Sequence, residues 1–332
     1  MEKSRLTITD IAEQAGVAKS TVSRYLNGGQ VSKKTKAKIK QVIDATNYEP
    51  NTFAQSLKAK RTRMIGVVAP TLDSLVTSAV LMAIERELKR QGYFMLIVST
   101  SKQIEEEIEA LEQLARQKVD GIILISTQIT AELDEMIASI DIPVLIVGQE
   151  SSRWSSIVND DYEAGYHIGR YVAESGHHEV VYLGVSEEDQ AVGQKRKAGV
   201  IEGLMTKDVA IQSYVTDFTY EAAYELCQSL LVQHSFTAVV CATDNIAYGV
   251  IRAMHEAGRA IPDDLSVTGF GGYYFSEILN PPLTTIRYRN DEVGSRAAQA
   301  MIQLACGQDV PHLQVSGFDF IPGASVKQNK KS

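Results

Sequence analysis

The chain has 332 residues, of which 44% are hydrophobic and 22% are charged, so it is long enough for two or three domains with substantial cores. No apolar run reaches the roughly 18 residues of a membrane helix, and we expect a cytoplasmic protein without a membrane partner. The net charge of −8 is uneven, because residues 1–63 carry 13 Lys or Arg against 5 Asp or Glu, whereas the remainder carries 20 against 36. This asymmetry predicts a polyanionic partner, such as nucleic acid, for the basic end alone.

Residues 7–27 predict two short helices joined by a turn. Thr7 followed by Asp10 is typical of a helix start, and Gly16 suits the positive φ of a helix end. Apolar residues recur on one face of each helix; they are Ile8, Ile11, Ala12, Ala15, Val17, Val22 and Leu26. Two short helices around a glycine-containing turn form a helix-turn-helix, whose second helix enters a DNA major groove.

The second of these helices carries a polar, donor-rich face suited to DNA. That face consists of Lys19, Ser20, Thr21, Ser23 and Arg24. An ordinary helical hairpin with a solvated face is the alternative that this pattern alone leaves open.

A third helix is predicted over residues 32–46, with Ser32 as its cap and Ile39, Val42 and Ile43 facing the first two helices. Its solvent side carries five lysines. The following segment, 51–60, predicts only a short amphipathic turn or two, which is marginal as an isolated helix.

From residue 64 onward, short β-branched runs alternate with helical stretches. The runs are MIGVVAP, FMLIVST, GIILIS, PVLIVG, VVYLG, AVVCAT and LSVTGF. They are continuously apolar, as buried parallel strands should be. Their number is too high for one half of a doubly wound fold, so the sequence predicts an α/β body of two similar subdomains.

Catalytic and metal-binding signals are weak. The three cysteines lack metal-ligand spacing, so we expect core residues at Cys227, Cys241 and Cys306. We expect surface imidazoles at His177 and His178. We find no nucleophile elbow or dinucleotide fingerprint, and therefore expect neither an enzyme nor a bound cofactor or metal.

The stretches AGVAKSTVSRYLNG and NYEPNTFAQSL closely resemble the DNA-binding headpiece of the LacI/GalR family of transcriptional repressors, and the resemblance continues through nearly the whole chain. It implies a headpiece at 1–50, a hinge helix at 51–63 and a clamshell effector domain at 64–332. The lobes would comprise 64–162 with 292–319, and 163–291 with 320–328. It also implies a homodimer on a palindromic operator.

The resemblance implies both sets of contact residues. On DNA, they are Thr7, Lys19, Ser20, Thr21, Arg24, Asn27, Asn51, Gln55 and Leu57, with Leu57 as a minor-groove wedge. Effectors in open α/β sheets bind at the carboxyl ends of strands. The expected contacts there are Leu72, Asp73, Gly148, Arg196, Phe218, Thr243, Asp244, Gly271, Tyr273, Tyr288 and Arg289.

Two departures from the family pattern bear on the effector. Many members have Gly-Phe-Asp-Asp where this chain reads GFGGY, so a carboxylate that grips sugar hydroxyls is missing. The aromatic pair of purine- and ribose-type members is replaced by TLDSL. Loss of the carboxylate near four cations, Lys195, Arg196, Lys197 and Arg289, leads to the hypothesis of an anionic sugar phosphate.

The GFGGY and CATDNIAYG stretches look most like sucrose-operon repressors of Gram-positive bacteria. We therefore expect a repressor released by sucrose or sucrose 6-phosphate. The alternatives are a trehalose-type or global catabolite regulator that uses a corepressor and, more distantly, a sugar-binding protein.

Overall fold

The computed structural model describes residues 6–26, 29–46, 48 and 61–329. The chain forms two compact units, Met1–Thr62 and Arg63–Ser332. Asn27, Asn51, Gln55 and Leu57, four of the expected DNA contacts, lie outside the described residues.

The described part of the first unit contains the helices expected from the sequence. They are α1 (Ile8–Ala15), α2 (Lys19–Leu26) and α3 (Lys33–Thr46). The three helices pack around a small apolar core. Each contributes one fully buried side chain to it: Ile11, Val22 and Ile39.

The predicted start and stop signals of this unit are confirmed. The Thr7 amide donates to Asp10 Oδ2 at 2.6 Å, and the Asp10 amide donates to Thr7 Oγ1 at 3.4 Å, which completes a capping box. Gly16 has φ of 62° and ends α1. Ser32 Oγ accepts from the Thr35 amide at 3.2 Å at the start of α3.

Within residues 61–329, the second unit contains two six-stranded sheets. The first sheet defines the first lobe; its strands are β1 (Met64–Ala69), β2 (Phe94–Ser99), β3 (Gly121–Ile125), β4 (Val144–Val147), β5 (Ser156–Asn159) and β11 (Leu313–Ser316). The second sheet defines the second lobe; its strands are β6 (Glu179–Gly184), β7 (Ala210–Val215), β8 (Ala238–Cys241), β9 (Ser266–Phe270), β10 (Thr284–Tyr288) and β12 (Phe318–Ile321).

The strand orders are β11-β5-β4-β3-β1-β2 and β12-β10-β9-β8-β6-β7. Every neighbouring pair is parallel except β10 with β12. The first lobe also contains α4 (Leu75–Arg90), α5 (Ile104–Arg116), α6 (Ala131–Ser139) and α12 (Asn290–Ala305). The second contains α7 (Asp161–Glu174), a π-helical segment (Gln190–Arg196), α8 (Lys197–Met205), α9 (Tyr220–Gln233), α10 (Asp244–Glu256) and α11 (Tyr274–Ile278).

The predicted doubly wound architecture is confirmed, with two differences. Strand β2 is an edge strand rather than a buried one, and its Phe94 and Ile97 are 74% and 40% exposed. Phe318 pairs with Tyr288 in the second sheet, so the last crossover lies at Gly317, before the expected 319–320 boundary.

Helices α7 and α8 approach each other through glycines. A Cβ on Gly165 would lie 2.3 Å from the Arg196 carbonyl oxygen, and one on Gly199 would lie 2.0 Å from the Tyr162 carbonyl oxygen. Larger side chains would separate the helices. This contact brings the start of α7 next to the end of the π-helical segment, and thereby Asp161 next to Arg196.

Candidate functional site

The headpiece exposes the polar face expected to contact DNA. Lys19, Ser20 and Arg24 are exposed and Thr21 is half-buried, whereas Val22 between them is fully buried in the core. Thr7 is also exposed, and its hydroxyl donates to Asp10 Oδ2 at 2.8 Å. The face therefore presents cationic and hydroxyl donors while the apolar side of α2 holds the helix in place.

A cleft of about 710 Å³ lies between the two lobes, at the carboxyl ends of strands from both sheets. Eight of the expected effector contacts line it; they are Asp73, Gly148, Arg196, Phe218, Thr243, Gly271, Tyr273 and Tyr288. The volume lies within the range of about 300–1,000 Å³ that is typical of small-molecule sites.

Arg196 is held rigidly in the wall of this cleft. The side chain is 5% exposed, and its Nε and Nη2 donate to Asp161 Oδ1 at 2.9 and 2.5 Å. Nη1 donates to the Ala242 carbonyl, and the guanidinium lies 4.9 and 5.1 Å from the ring centroids of Phe270 and Tyr288. Tyr288 also donates its hydroxyl to Asp161 Oδ1 at 2.8 Å. The charge of Arg196 is therefore paired with a carboxylate of the protein itself.

The expectation of cations without a nearby carboxylate is wrong, since each of the four has an acidic partner. The pairs are Lys195–Glu150, Arg196–Asp161, Lys197–Glu187 and Arg289–Asp319. Arg289 also lies outside the cleft and lines an adjoining depression of about 590 Å³. The charged groups that do line the cleft are Lys102, Arg196, Asp73, Asp161, Asp189 and Glu221. Four carboxylates against two cations make its lining acidic.

Asp244 does not line the cleft, contrary to expectation. It is fully buried, and its Oδ1 accepts from Thr285 Oγ1 at 2.6 Å while Oδ2 accepts from Ser276 Oγ at 2.6 Å and the Tyr273 amide at 3.1 Å. Burial raises the pKa of Asp244, although these hydrogen bonds oppose the shift. Its place in the structure is to hold the loop after β9.

That loop contains the two glycines of GFGGY. Gly271 and Gly272 have φ of 149° and 60°, which L residues rarely adopt, so they serve as turn glycines. Thr243 caps α10 by accepting from the Ile246 amide at 3.2 Å and lines the cleft. Leu72 does not line it; its side chain is 51% exposed in the loop after β1.

The set of expected contacts left out several polar residues of the cleft wall, among them Gln149, Asn159, Asp161 and Asp189. Gln149 Nε2 donates to Asp189 Oδ1 at 3.0 Å, which joins the first lobe to the second. Burial raises the pKa of Asp189 despite this bond. The sequence feature that could have identified Asn159 and Asp161 is the polar NDD sequence at the end of β5. The sequence analysis did not predict this strand.

Comparisons with known proteins agree with this geometry. Residues 62–321 match the family of periplasmic binding proteins and the sugar-binding domain of the LacI family, and residues 7–51 match the bacterial regulatory proteins of the lacI family. This chain belongs to the LacI family. The resemblance inferred from the headpiece motifs is thereby confirmed, as is the fold class.

Individual relatives align with most of this chain, which we compare with two curated proteins and one solved structure. The chain is 38% identical over 298 residues to the sucrose operon repressor of Staphylococcus xylosus, covering 90% of this chain and 93% of that protein. It is 31% identical to the HTH-type transcriptional repressor PurR of Vibrio campbellii (strain ATCC BAA-1116), with coverages of 90% and 91%. The structure of the Lac repressor dimer bound to operator and the anti-inducer ONPF superimposes with a TM-score of 0.89 at 25% identity, with coverages of 97% and 99%.

The chain is thus a DNA-binding transcription repressor with a helix-turn-helix headpiece. Among the residues that the structure describes, no helix is long and apolar enough to cross a membrane.

Proposed function

We propose that this repressor binds a palindromic operator as a homodimer and releases it when a neutral sugar, sucrose in the first instance, occupies the interlobe cleft. The observation that carries the choice of a neutral ligand is the acidic lining of the cleft, in which Arg196 is already neutralised by Asp161. A phosphate dianion there would face uncompensated carboxylates, whereas sugar hydroxyls donate to them.

The cleft also supplies the apolar contact that a sugar ring needs. Phe218 lines it, with Lys102 Nζ lying 5.1 Å from the ring centroid, and Tyr273 and Tyr288 contribute further aromatic surface. Phe218 and Lys102 come from opposite lobes and contact each other, so a sugar bound beside this pair contacts both lobes. The 38% identity to a sucrose operon repressor supports sucrose over other neutral sugars.

Sucrose 6-phosphate is the second candidate, and Lys102 is the observation in its favour. Its Nζ is 3.9 Å from Asp217 Oδ1, and the lysine side chain is 39% exposed at the cleft. A phosphate placed at that edge would have a cation to contact. The Arg196 pocket would then hold the sugar rather than the phosphate.

On the operator, Lys19, Ser20 and Arg24 would read the major groove from α2, and Thr7 and Thr21 would contact phosphates. In a dimer, the two α2 helices would occupy half-sites about 34–36 Å apart. Asn27, Asn51 and Gln55 would add backbone contacts, and Leu57 would wedge into the minor groove. The structure of the Lac repressor dimer on operator supports this arrangement by its similarity to the whole chain.

An operator-binding titration tests the proposal. Fluorescence anisotropy of a labelled palindromic site is measured with the full-length protein, then repeated with sucrose, sucrose 6-phosphate, trehalose 6-phosphate and fructose. We expect sucrose to release the DNA. Release by a sugar phosphate alone would refute the neutral-ligand assignment, and tighter DNA binding with any of the four would identify a corepressor.

The titration needs a variant that loses the response to sucrose but retains operator binding. Phe218→Ala removes aromatic surface from the cleft, so we expect DNA affinity to stay within about twofold while the sucrose concentration for half release rises about tenfold or more. Phe236→Ala is the control, because Phe236 packs against the core of the same lobe but does not line the cleft.

A further inference from the structure

Two amide oxygens at the inner end of the cleft have no hydrogen-bond partner among the described residues. They are Oε1 of Gln149 and Oδ1 of Asn159, both on the first lobe. Gln149 is only 3% exposed, and Asn159 is half-buried at the end of β5. Buried amide oxygens are nearly always paired, so each unpaired one in a native structure calls for a specific partner.

Both residues line a second, much smaller cavity of about 10 Å³. This volume corresponds to roughly one water-sized group. The cavity shares Gly148, Gln149, Asn159 and Asp161 with the large cleft, so it is continuous in position with the effector site. Its walls come from the first lobe through residues 148–150 and from the second lobe through Asp161 and Lys195.

The orientation of the Gln149 amide is determined by its neighbours. Its Nε2 donates to Asp189 Oδ1, and the same oxygen accepts from the Val192 amide at 2.9 Å. A flipped amide would place two acceptors against each other, so Nε2 faces Asp189 and Oε1 is left as an acceptor on the other side.

Asp161 adds a further acceptor to the same wall. Within the described part of the chain it accepts three side-chain hydrogen bonds, two from Arg196 and one from Tyr288, and all three end on Oδ1. Oδ2 is not used by them. Arg196 and Tyr288 keep the carboxylate in place, and the amide of Gln149 is kept in place by Asp189.

We propose that Gln149, Asn159 and Asp161 form a hydroxyl subsite at the junction of the two lobes, in which the single hydrogen of one sugar hydroxyl is shared, as a three-centre bond, between the Gln149 and Asn159 amide oxygens, with the Asp161 carboxylate beside them. The inference rests on the proposed function and specifies how a neutral sugar is recognised when the usual carboxylate after β9 is absent. A subsite of acceptors selects a group that donates a hydrogen and rejects one that lacks it, since the buried oxygens would then stay unpaired. Because its walls belong to both lobes, the bound hydroxyl also links them.

The test is isothermal titration calorimetry of the full-length protein with sucrose and with the set of singly deoxygenated sucroses. For the wild type, we expect one deoxygenated sucrose to bind about tenfold or more weakly than sucrose. Gln149→Met retains the length of the side chain and removes both the Oε1 acceptor and the Nε2 donor to Asp189, so the informative readout is the discrimination between sucrose and the analogue rather than the affinity for sucrose itself. In this variant we expect the same analogue and sucrose to bind within about twofold of each other, while the ranking of the other analogues is unchanged.

Gln190→Met is the matched control, because Gln190 borders the small cavity but its side chain is exposed. It should retain the wild-type discrimination. Asn159→Leu provides a second removal of an acceptor and should also reduce the discrimination at the same hydroxyl, which covers the case in which Gln149→Met does not fold.

Two results would overturn the inference in different ways. If both acceptor variants weaken sucrose and every analogue by the same factor, the residues act only through the structure of the wall, and the subsite is wrong while sucrose binding stands. If the wild type binds no neutral sugar and its operator complex is unaffected by sucrose, the proposed function is wrong and the subsite with it.

Discussion

Glu107 should make the stability of the effector domain decrease as the pH rises. This residue of α5 is 1% exposed; its Oε2 accepts from Ser126 Oγ at 2.9 Å, and its Oε1 has no partner among the described residues. Burial raises the pKa of Glu107 from 4.5 to about 7, and the hydrogen bond from Ser126 only partly opposes this. The folded state therefore binds this proton more tightly than the unfolded state does.

The sign and size of the effect follow from this difference in pKa. Below about pH 4.5 the carboxyl is protonated in both the folded and the unfolded state, so the free energy of unfolding does not depend on pH through this group. Between about 4.5 and 7 the unfolded state ionises first, so unfolding becomes easier, and above about 7 the loss levels off. The difference between 4.5 and about 7 corresponds to about 3 kcal/mol.

Glu107→Gln removes the titration but retains an acceptor for Ser126. We expect it to be about as stable as the wild type near pH 4 and more stable by up to about 3 kcal/mol near pH 8. Urea unfolding of the full-length protein, followed by circular dichroism across this range, measures the difference. Glu106→Gln, at an exposed position of the same helix, is the control. Parallel pH profiles for wild type and Glu107→Gln would refute the reasoning.

Three further predictions concern other parts of the molecule. Gly165→Ala places a Cβ 2.3 Å from the Arg196 carbonyl oxygen, so the free energy of unfolding should fall by about 1–3 kcal/mol in urea titrations, and an unchanged midpoint would contradict the close helix contact. Thr7→Ala removes a cap bonded to Asp10 and should speed hydrogen exchange of the α1 amides by an amount equivalent to about 1 kcal/mol, whereas unchanged protection would show that the box contributes nothing. Arg24→Ala should weaken operator binding, and measurement at several salt concentrations distinguishes a phosphate contact, which lowers the salt slope by about one, from a base contact, which relaxes specificity.

Much of the fold was predictable from the sequence because its signals are local. All seven predicted strands form. Six of them are largely buried, and a strand buried on both faces of a parallel sheet has a continuous apolar sequence; β2 has such a sequence but lies at the sheet edge. The strands that were missed lack this signature. β5 (SIVN) has only two consecutive apolar residues, and β7 (AIQSYV) lies at a sheet edge where four of its six residues are exposed.

The electrostatics of the site were not predictable in the same way. Asp161 is 35 positions from Arg196 and 127 from Tyr288, so their mutual hydrogen bonds arise only when α7, the π-helical segment and β10 come together. Asp244, which looked like a ligand contact at a strand end, is instead satisfied by Ser276 and Thr285. A list of charged residues at strand ends identifies the cleft but not which of them are already paired.

The contacts between the lobes have unequal weight. Lys102 and Asp217 meet across the cleft with side chains that are 39% and 62% exposed, and such pairs contribute little to stability. The bond from Gln149 to Asp189 is buried, and its loss would leave polar groups unpaired. Under the proposed function, a sugar that adds hydrogen bonds beside Gln149 would strengthen this buried contact between the lobes, and it would favour the arrangement in which the contact forms in proportion to its differential affinity. If that sugar is the effector, operator DNA would by reciprocity change the affinity for the sugar by the same factor as the sugar changes the affinity for DNA.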